Sequence, residues 1–411
     1  MKGFPLFVSG EARAERERRE VLRPEPKASA ASLLSAELAD LESAGLRRTR
    51  RVLQSPQRAR VTVDGREYIA FCSNDYLGLA AHPDLVEAAR DGASALGVGA
   101  GASHLVLGHT SAHHALETAL ARFTTLPAAL LFASGYMANL GLVTVLAGRG
   151  DAVFADKLNH ASLNDAALLS RAELKRYAHA DLKALERLLD TSRARRKVIV
   201  TDAVFSMDGD IAPVQGLLDL AERHDAWLVL DDAHGFGVLG EGGRGVLEHA
   251  GLNSPRIAYM ATLGKAAGVY GAFVAGEREL IDTLVQRART YVYTTATPPL
   301  IACALLKSLE LIERESWRRA HLATLVAALK AGLRDAPWTL LPSDTAIQPL
   351  VVGESRDALT VAERLAAQGL LVPAIRPPTV PRGTARLRIS LSADHRVEDV
   401  ERLAAALTAL R

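Results

Sequence analysis

The chain has 411 residues, 49% of them apolar, and its 49 Lys and Arg almost balance 47 Asp and Glu. That length exceeds what one hydrophobic core usually supports, so two packed domains are expected, and the composition excludes a disordered or fibrous chain. A formal net charge of +2 gives no global pull toward nucleic acid or an anionic membrane, and no apolar run approaches the ~20 residues that span a bilayer.

Residues 1–30 read as a charged, Pro-containing leader, expected to be flexible. Its apolar patch is too short for a signal peptide, and Glu11, Glu15, Glu17 and Glu20 argue against a transit peptide, so the cytoplasm is the expected compartment. Residues 31–73 read as a helix, SLLSAELADLESAGL, then the basic cluster RRTRR and a hairpin, RVTVDGREYIAF, folded at Asp64-Gly65. From Asn74 to residue 298 short apolar runs alternate with helical stretches: ALLFAS, DAVFAD, KVIVTD, AWLVLDD, IAYMAT and GAFVAG. This rhythm predicts an α/β domain with a mostly parallel sheet covered by helices. Residues 299–411 open with a long helical stretch after Pro298-Pro299 and read as a smaller α+β domain. Cys72 and Cys303, far apart in apolar contexts, are expected as reduced thiols.

Residues that carry chemistry gather at the ends of these strands, where open α/β sheets place ligands. AWLVLDDAHGFG ends in Asp231-Asp232 with His234 next. Two carboxylates there either cap the following turn or hold a cation, a metal or a protonated ring nitrogen. YMATLGKAAGVYGAF sets Lys265 in a turn of small residues between two apolar strands. Desolvation there lowers an amine's pKa and makes it a competent nucleophile; the alternative is a structural lysine paired with Asp231 or Asp232. Glycine spacing excludes a P-loop lysine, and Thr262 is positioned to offer a hydroxyl to a phosphate. LFASGYMANLG follows a strand and opens a helix, aiming the N–H groups of Gly135 and Tyr136 at an anion. His160 follows the next strand, and Asp202 and Ser206 follow another. His109, His113 and Glu117 have helical ligand spacing, but a helix face beside the glycine-rich GVGAGASHLVLG explains them equally, and no metal is expected. That glycine-rich stretch also lacks the strand-then-helix context of a dinucleotide site.

Together with SNDYLGL, VFSMDGD, DDAHG, AIQPLVVG and AIRPPTVPRGTARLRI, these motifs resemble the α-oxoamine synthase family of fold-type I pyridoxal-phosphate enzymes, from about Ser32 to the end. The resemblance implies the aspartate aminotransferase-like α/β fold, pyridoxal 5'-phosphate as cofactor, and a homodimer whose active site is shared across the interface. It assigns Lys265 as the Schiff-base lysine and the base for the Cα proton. Asp231 would pair with the pyridine nitrogen, His234 would meet the ring's phenolic oxygen with Ser206 beside it, and His160 would stack on the ring face. Gly135, Tyr136 and Thr262 would hold the phosphate, and Thr294 or Thr295 would reach the phosphate of the partner subunit. Asp202 stands where the family has glutamate. Arg388, assisted by Asn74, would bind the amino-acid carboxylate, with Arg47 and Thr379 as further substrate contacts.

Within the family, the segment around Pro377-Pro378 resembles members that condense L-alanine with a pimeloyl thioester, carried on coenzyme A or acyl carrier protein, with loss of carbon dioxide. Relatives using glycine with acetyl- or succinyl-CoA, or serine with a long acyl thioester, are the alternatives. A non-catalytic scaffold would be expected to lack Lys265 or Asp231. Three residues depart from the family pattern: Phe236 stands for a smaller polar residue, Leu263 for a bulkier aromatic, and His104 for arginine or glycine.

Overall fold

The computed structural model describes residues 30–43 and 46–410, so the charged leader lies almost wholly outside the described residues. Contacts divide the chain into two units that meet in sequence at Val52 and Leu53. In the first, the expected helix spans Ala30–Ser43, with Leu34, Leu38 and Leu41 at turn spacing.

The second unit begins with strands β1 (Arg60–Val63) and β2 (Arg66–Ala70), paired antiparallel. Asp64 and Gly65 both take positive φ, 49° and 78°, which matches the right-handed twist of a two-residue hairpin. The central sheet follows: β3 (Ala128–Phe132), β4 (Ala152–Asp156), β5 (Glu173–Tyr177), β6 (Lys197–Asp202), β7 (Ala226–Asp231), β8 (Ile257–Thr262) and β9 (Ala272–Gly276). Their spatial order is β3-β9-β8-β7-β6-β4-β5, with β9 antiparallel to both neighbours and every other pair parallel. The direct turn from β8 to β9 explains the exception, since a parallel pair needs a crossover element.

Both faces of this sheet are covered, which is why its strands read as unbroken apolar runs. Phe154, Ile199, Leu228, Leu230 and Tyr259 face one core. Their neighbours Val153, Val198, Val200, Val229 and Met260 face the other.

The C-terminal part adds β10 (Thr339–Leu340), β11 (Ile347–Gly353), β12 (Leu370–Leu371), β13 (Ala374–Ile375) and β14 (Ala385–Ser390). Four of these form an antiparallel sheet, β10-β11-β14-β13. The fifth, β12, leaves it and pairs parallel with β2. The hairpin that sequence groups with the N-terminal helix is therefore tied to the C-terminal segment, and Ser390 N also donates to Phe71 O at 2.9 Å. Cys72 and Cys303 form no disulfide with each other. Among the described residues no helix is long and apolar enough to cross a membrane.

Candidate active site

The C-terminal ends of β4, β6, β7 and β8 carry His160, Ser206, His234 and Lys265 on the loops that follow them, at one edge of the sheet. Lys265 sits in the turn between β8 and β9, with its Nζ 2.9 Å from His234 Nε2. Burial lowers this amine to about 8, against the opposing pull of Asp231 and Asp202. His234 is buried too, and desolvation, then Lys265 and Arg388, push its imidazole well below the usual range. It is therefore neutral and has one N–H to give.

That neutral ring opens a chain of contacts to the small sheet. His234 Nδ1 lies 2.6 Å from the Tyr76 hydroxyl, which donates to Asn74 Oδ1 at 3.2 Å. With Lys265 donating to Nε2, the N–H belongs on Nδ1 and points at Tyr76, an assignment made from the network. Arg388, on β14, donates from Nε to Ser206 O at 2.5 Å and from Nη1 to Asn74 Oδ1 at 3.2 Å and Ser390 Oγ at 2.8 Å. Its Nη2 makes only a long 3.5 Å contact to Tyr76 among the described residues, which leaves donor capacity for a carboxylate.

The two adjacent aspartates do different work. Successive strand residues point to opposite faces. Asp231 accepts from Asn139 Nδ2 at 2.7 Å and Ala233 N at 3.0 Å. Asp232 turns to the other side, accepting from Val246 N and Tyr259 OH at 2.7 Å each, and burial raises its carboxyl to about 7. Asp232 is thus a buried structural acceptor.

Asn139 also donates to Ser162 Oγ at 2.9 Å, and that hydroxyl lies 2.8 Å from His160 Nδ1. His160 N donates to Asp202 Oδ2 at 2.6 Å, and burial, reinforced by Asp231, pushes the Asp202 carboxyl well above its ordinary range. Burial pushes His160 down, so it too presents a neutral ring.

At the far end, Gly135 is the first residue of the helix Gly135–Leu146, capped by Ser134 Oγ, which accepts from Met137 N at 3.3 Å. A Cβ on residue 135 would lie 2.6 Å from Thr262 Cγ2, so only glycine fits. Thr262 Oγ1 is buried there without a hydrogen-bond partner among the described residues. An orphaned hydroxyl beside a helix N-terminus suits a phosphate. With a desolvated amine, a buried carboxylate and a neutral imidazole within the same group, the residues present fit pyridoxal phosphate. Tyr136 is partly exposed and its phenol donates to Asp165.

Among the described residues Thr294 and Thr379 make no hydrogen bond to this group. Thr294 donates to Thr295 O at 3.5 Å, beyond the short helix Arg289–Val292. Thr379 is exposed, with its N–H on Arg376 O at 3.1 Å. Arg47 belongs to the N-terminal unit, where it pairs with Glu42 at 3.0 Å. Phe236 packs on Phe123 and Phe273, and Leu263 is wholly buried, so these two departures are core residues.

His113 caps its own helix: Nδ1 accepts from Thr110 N at 3.1 Å, and Nε2 lies 2.8 Å from Thr297 O. His104 stacks on Tyr291, with Nδ1 3.0 Å from His109 Nδ1. Among the described residues no His, Cys, Asp and Glu group is arranged to hold a metal ion.

Tyr76, Asn139 and Ser162 were not singled out from sequence. Asn139 left a usable signal, as a lone amide inside the otherwise apolar helix GYMANLGLVTVL.

The aminotransferase class I and II family matches residues 66–407. An 8-amino-7-oxononanoate synthase of Nitrosospira multiformis is 66% identical over 362 residues, covering 88% of this chain and 91% of that protein. Another, of Methylobacillus flagellatus, is 64% identical over 370 residues, covering 90% and 93%. Among solved structures, the serine palmitoyltransferase of Sphingomonas wittichii superposes with a TM-score of 0.87 at 32% identity, over 93% of this chain and 98% of that one. An 8-amino-7-oxononanoate synthase from Francisella tularensis gives 0.73 at 30% identity, over 83% and 97%. The chain belongs to the aminotransferase class I and II family, among its α-oxoamine synthases.

Proposed function

We propose that this chain is an 8-amino-7-oxononanoate synthase: it joins the Cα of L-alanine to the carbonyl carbon of a pimeloyl thioester, releasing the thiol and carbon dioxide. Eight relatives of that name are 59–66% identical to this chain over about nine-tenths of its length, whereas the serine palmitoyltransferases that superpose on it are 28–32% identical, no more than the 30% of the Francisella 8-amino-7-oxononanoate synthase. Pyridoxal phosphate, when bound, supplies an aldehyde for an amine to capture and a protonated ring that accepts the electron pair of a broken Cα bond.

The observation that carries the reading is the 2.9 Å contact between the Lys265 amine and neutral His234, within one network that reaches Arg388. An amine titrating near 8 holds both protonation states near neutral pH, as a group that takes and returns a Cα proton must. Arg388 binds the alanine carboxylate through Nη2, its other nitrogens being held by Ser206, Asn74 and Ser390. Asp231, fixed by Asn139 and Ala233 N, keeps the ring nitrogen protonated. His160 would meet the cofactor ring, its own ring oriented by the link through Ser162 to Asn139. His234 and Ser206 would hold the phenolic oxygen, and Gly135, Tyr136 and Thr262 would receive the phosphate. Asp202 holds the His160 main chain.

Arg47 and Thr379 as further substrate contacts, and Thr294 or Thr295 as serving the partner subunit of a homodimer, are carried over from the family resemblance alone. Leu105, Val106 and Leu107, exposed side by side on one turn, support a second copy as the neighbour of this face.

The test is a spectral titration of the cofactor-loaded protein with L-alanine, glycine and L-serine, followed by pimeloyl-CoA and mass analysis of the product. A response to alanine, with carbon dioxide release and 8-amino-7-oxononanoate formed, is expected. A response to glycine or serine alone moves the substrate to another branch of the family.

A further inference from the structure

The turn that presents Ser206 is held from both sides. Phe205 N donates to Asp210 O at 3.0 Å and Gly209 N to Phe205 O at 2.8 Å, closing a tight loop after β6. Gly209 has φ 72°, and a Cβ there would lie 2.5 Å from Ile347 O, so the loop presses directly on β11. The small sheet grips the turn at three points. Ser343 Oγ and Thr345 Oγ1 donate to Gly209 O at 2.8 and 3.0 Å. Arg386 donates to Asp208 Oδ1 at 2.7 Å and Met207 O at 3.2 Å. Arg388 donates to Ser206 O at 2.5 Å.

On the side of the large sheet the turn is held by His179. Its Nε2 is 2.9 Å from Asp210 Oδ2, and its Nδ1 is 3.2 Å from Asp156 Oδ1 and 3.3 Å from Oδ2. Two carboxylates on two ring nitrogens require both to carry hydrogen, so the ring is an imidazolium. These contacts raise it to about 10, the Asp156 hydrogen bond first and the Asp210 bond next. Phe205 packs at right angles to the imidazolium ring with centroids 4.4 Å apart. Among the described residues Asp210 Oδ1 is buried without a hydrogen-bond partner, and His179, 2.9 Å from Oδ2, is the cation paired with this carboxylate. Asp156 in turn accepts from Leu158 N and Ala180 N at 2.8 Å each, and so anchors the segment leading to His160.

We propose that His179 is a positioning residue for amino-acid binding: bridging Asp156 and Asp210, it holds the Ser206 turn against β14 so that Arg388 faces Lys265. The proposal rests on the reading of Arg388 as the carboxylate anchor. His179 touches neither substrate nor cofactor and acts through the turn. Loss of its charge leaves Asp210 uncompensated, lets the turn relax, and removes the Ser206 carbonyl that fixes the guanidinium.

The experiment uses cofactor-loaded His179→Gln, Asp210→Asn, the double variant and Arg388→Lys. L-alanine is varied at saturating pimeloyl-CoA, and the cofactor dissociation constant is measured separately. We expect His179→Gln to raise the alanine KM about tenfold while kcat and cofactor affinity stay within about threefold. The double variant should be no worse than His179→Gln, because the two residues form one unit. An unchanged alanine KM overturns the proposal, as does a parallel fall in KM, kcat and cofactor affinity, or a double variant whose defect is the product of the singles. Should His179→Gln not fold, Asp210→Asn must raise the alanine KM by itself, and a normal value there is equally fatal. An unchanged KM in Arg388→Lys sinks the anchor assignment and the proposal with it. A raised KM in Arg388→Lys, but not in His179→Gln, sinks the proposal alone.

Discussion

Two histidines at the same edge of the sheet carry opposite charge states. His234 is enclosed with Lys265 and Arg388 nearby, and burial among cations keeps it neutral. His179 sits between Asp156 and Asp210, and two carboxylates keep it charged. The side chain is the same, so the difference comes wholly from surroundings. At the amine, a neutral ring allows a lysine to lose and regain a proton without a competing charge. At the turn, a fixed cation joins two loops that would otherwise repel. One region is arranged to move a proton, the other to prevent any change of charge.

The largest effect expected is at the amine. Lys265→Ala should lower condensation by at least ~10³-fold while leaving the fold intact, because the proposed function uses this amine as both nucleophile and base. It also sharpens the contrast. Desolvation is the leading cause of the depressed His234 value, with Lys265 second, so His234 should remain neutral in this variant. Histidine titration followed by magnetic resonance checks this, and a return of His234 to its ordinary range would break the account.

A smaller effect is expected where a neutral donor does the holding. Asn139 fixes Asp231 with an amide, whereas His179 fixes Asp156 and Asp210 with a cation. Losing a hydrogen bond to a buried carboxylate costs about 1.5–3 kcal/mol, so Asn139→Ala should weaken cofactor binding roughly tenfold or more. Equilibrium titration of the cofactor-free protein measures it, and unchanged affinity would remove Asn139 from the site.

Much of this was legible in the sequence. Strands buried on both faces declare themselves as apolar runs, and the residues at and just past their ends drew attention to Lys265, Asp231 and His234 before any geometry, whereas Arg388, inside β14, came only from the family resemblance. The sequence left the roles of Asp231 and Asp232 open, and their separation comes from the hydrogen bonds each accepts on opposite sides of the strand end. Pairing of β12 with β2 was not legible, because two short apolar segments some 300 residues apart carry no local mark of each other. Nor were Tyr76, Ser162 and His179, whose meaning lies in partners brought by other loops. Thr294, Thr295 and Thr379 acquire no role from the contacts within one chain, whatever their sequence context suggests.

The smallest effects separate the two regions by sign. His179 has a folded value of about 10 against an ordinary 6.5, so between those values the folded protein keeps a proton that the unfolded chain has lost. Its contribution to stability is complete below about 6.5 and disappears as pH rises through about 10. Lys265 has a folded value of about 8 against 10.5, so between these the unfolded chain holds the extra proton. Its burial therefore costs stability in full below about 8, and that cost fades as pH rises toward 10.5. Urea unfolding of the cofactor-free protein across this range, with His179→Gln and Lys265→Ala alongside, resolves the two. The advantage of wild type over His179→Gln should shrink as pH rises from 7 to 10. The advantage of Lys265→Ala over wild type should shrink between 8 and 10.5. Parallel curves for wild type and His179→Gln would mean that the histidine between the carboxylates is not held as a cation, and the contrast between the two regions would fail at that point.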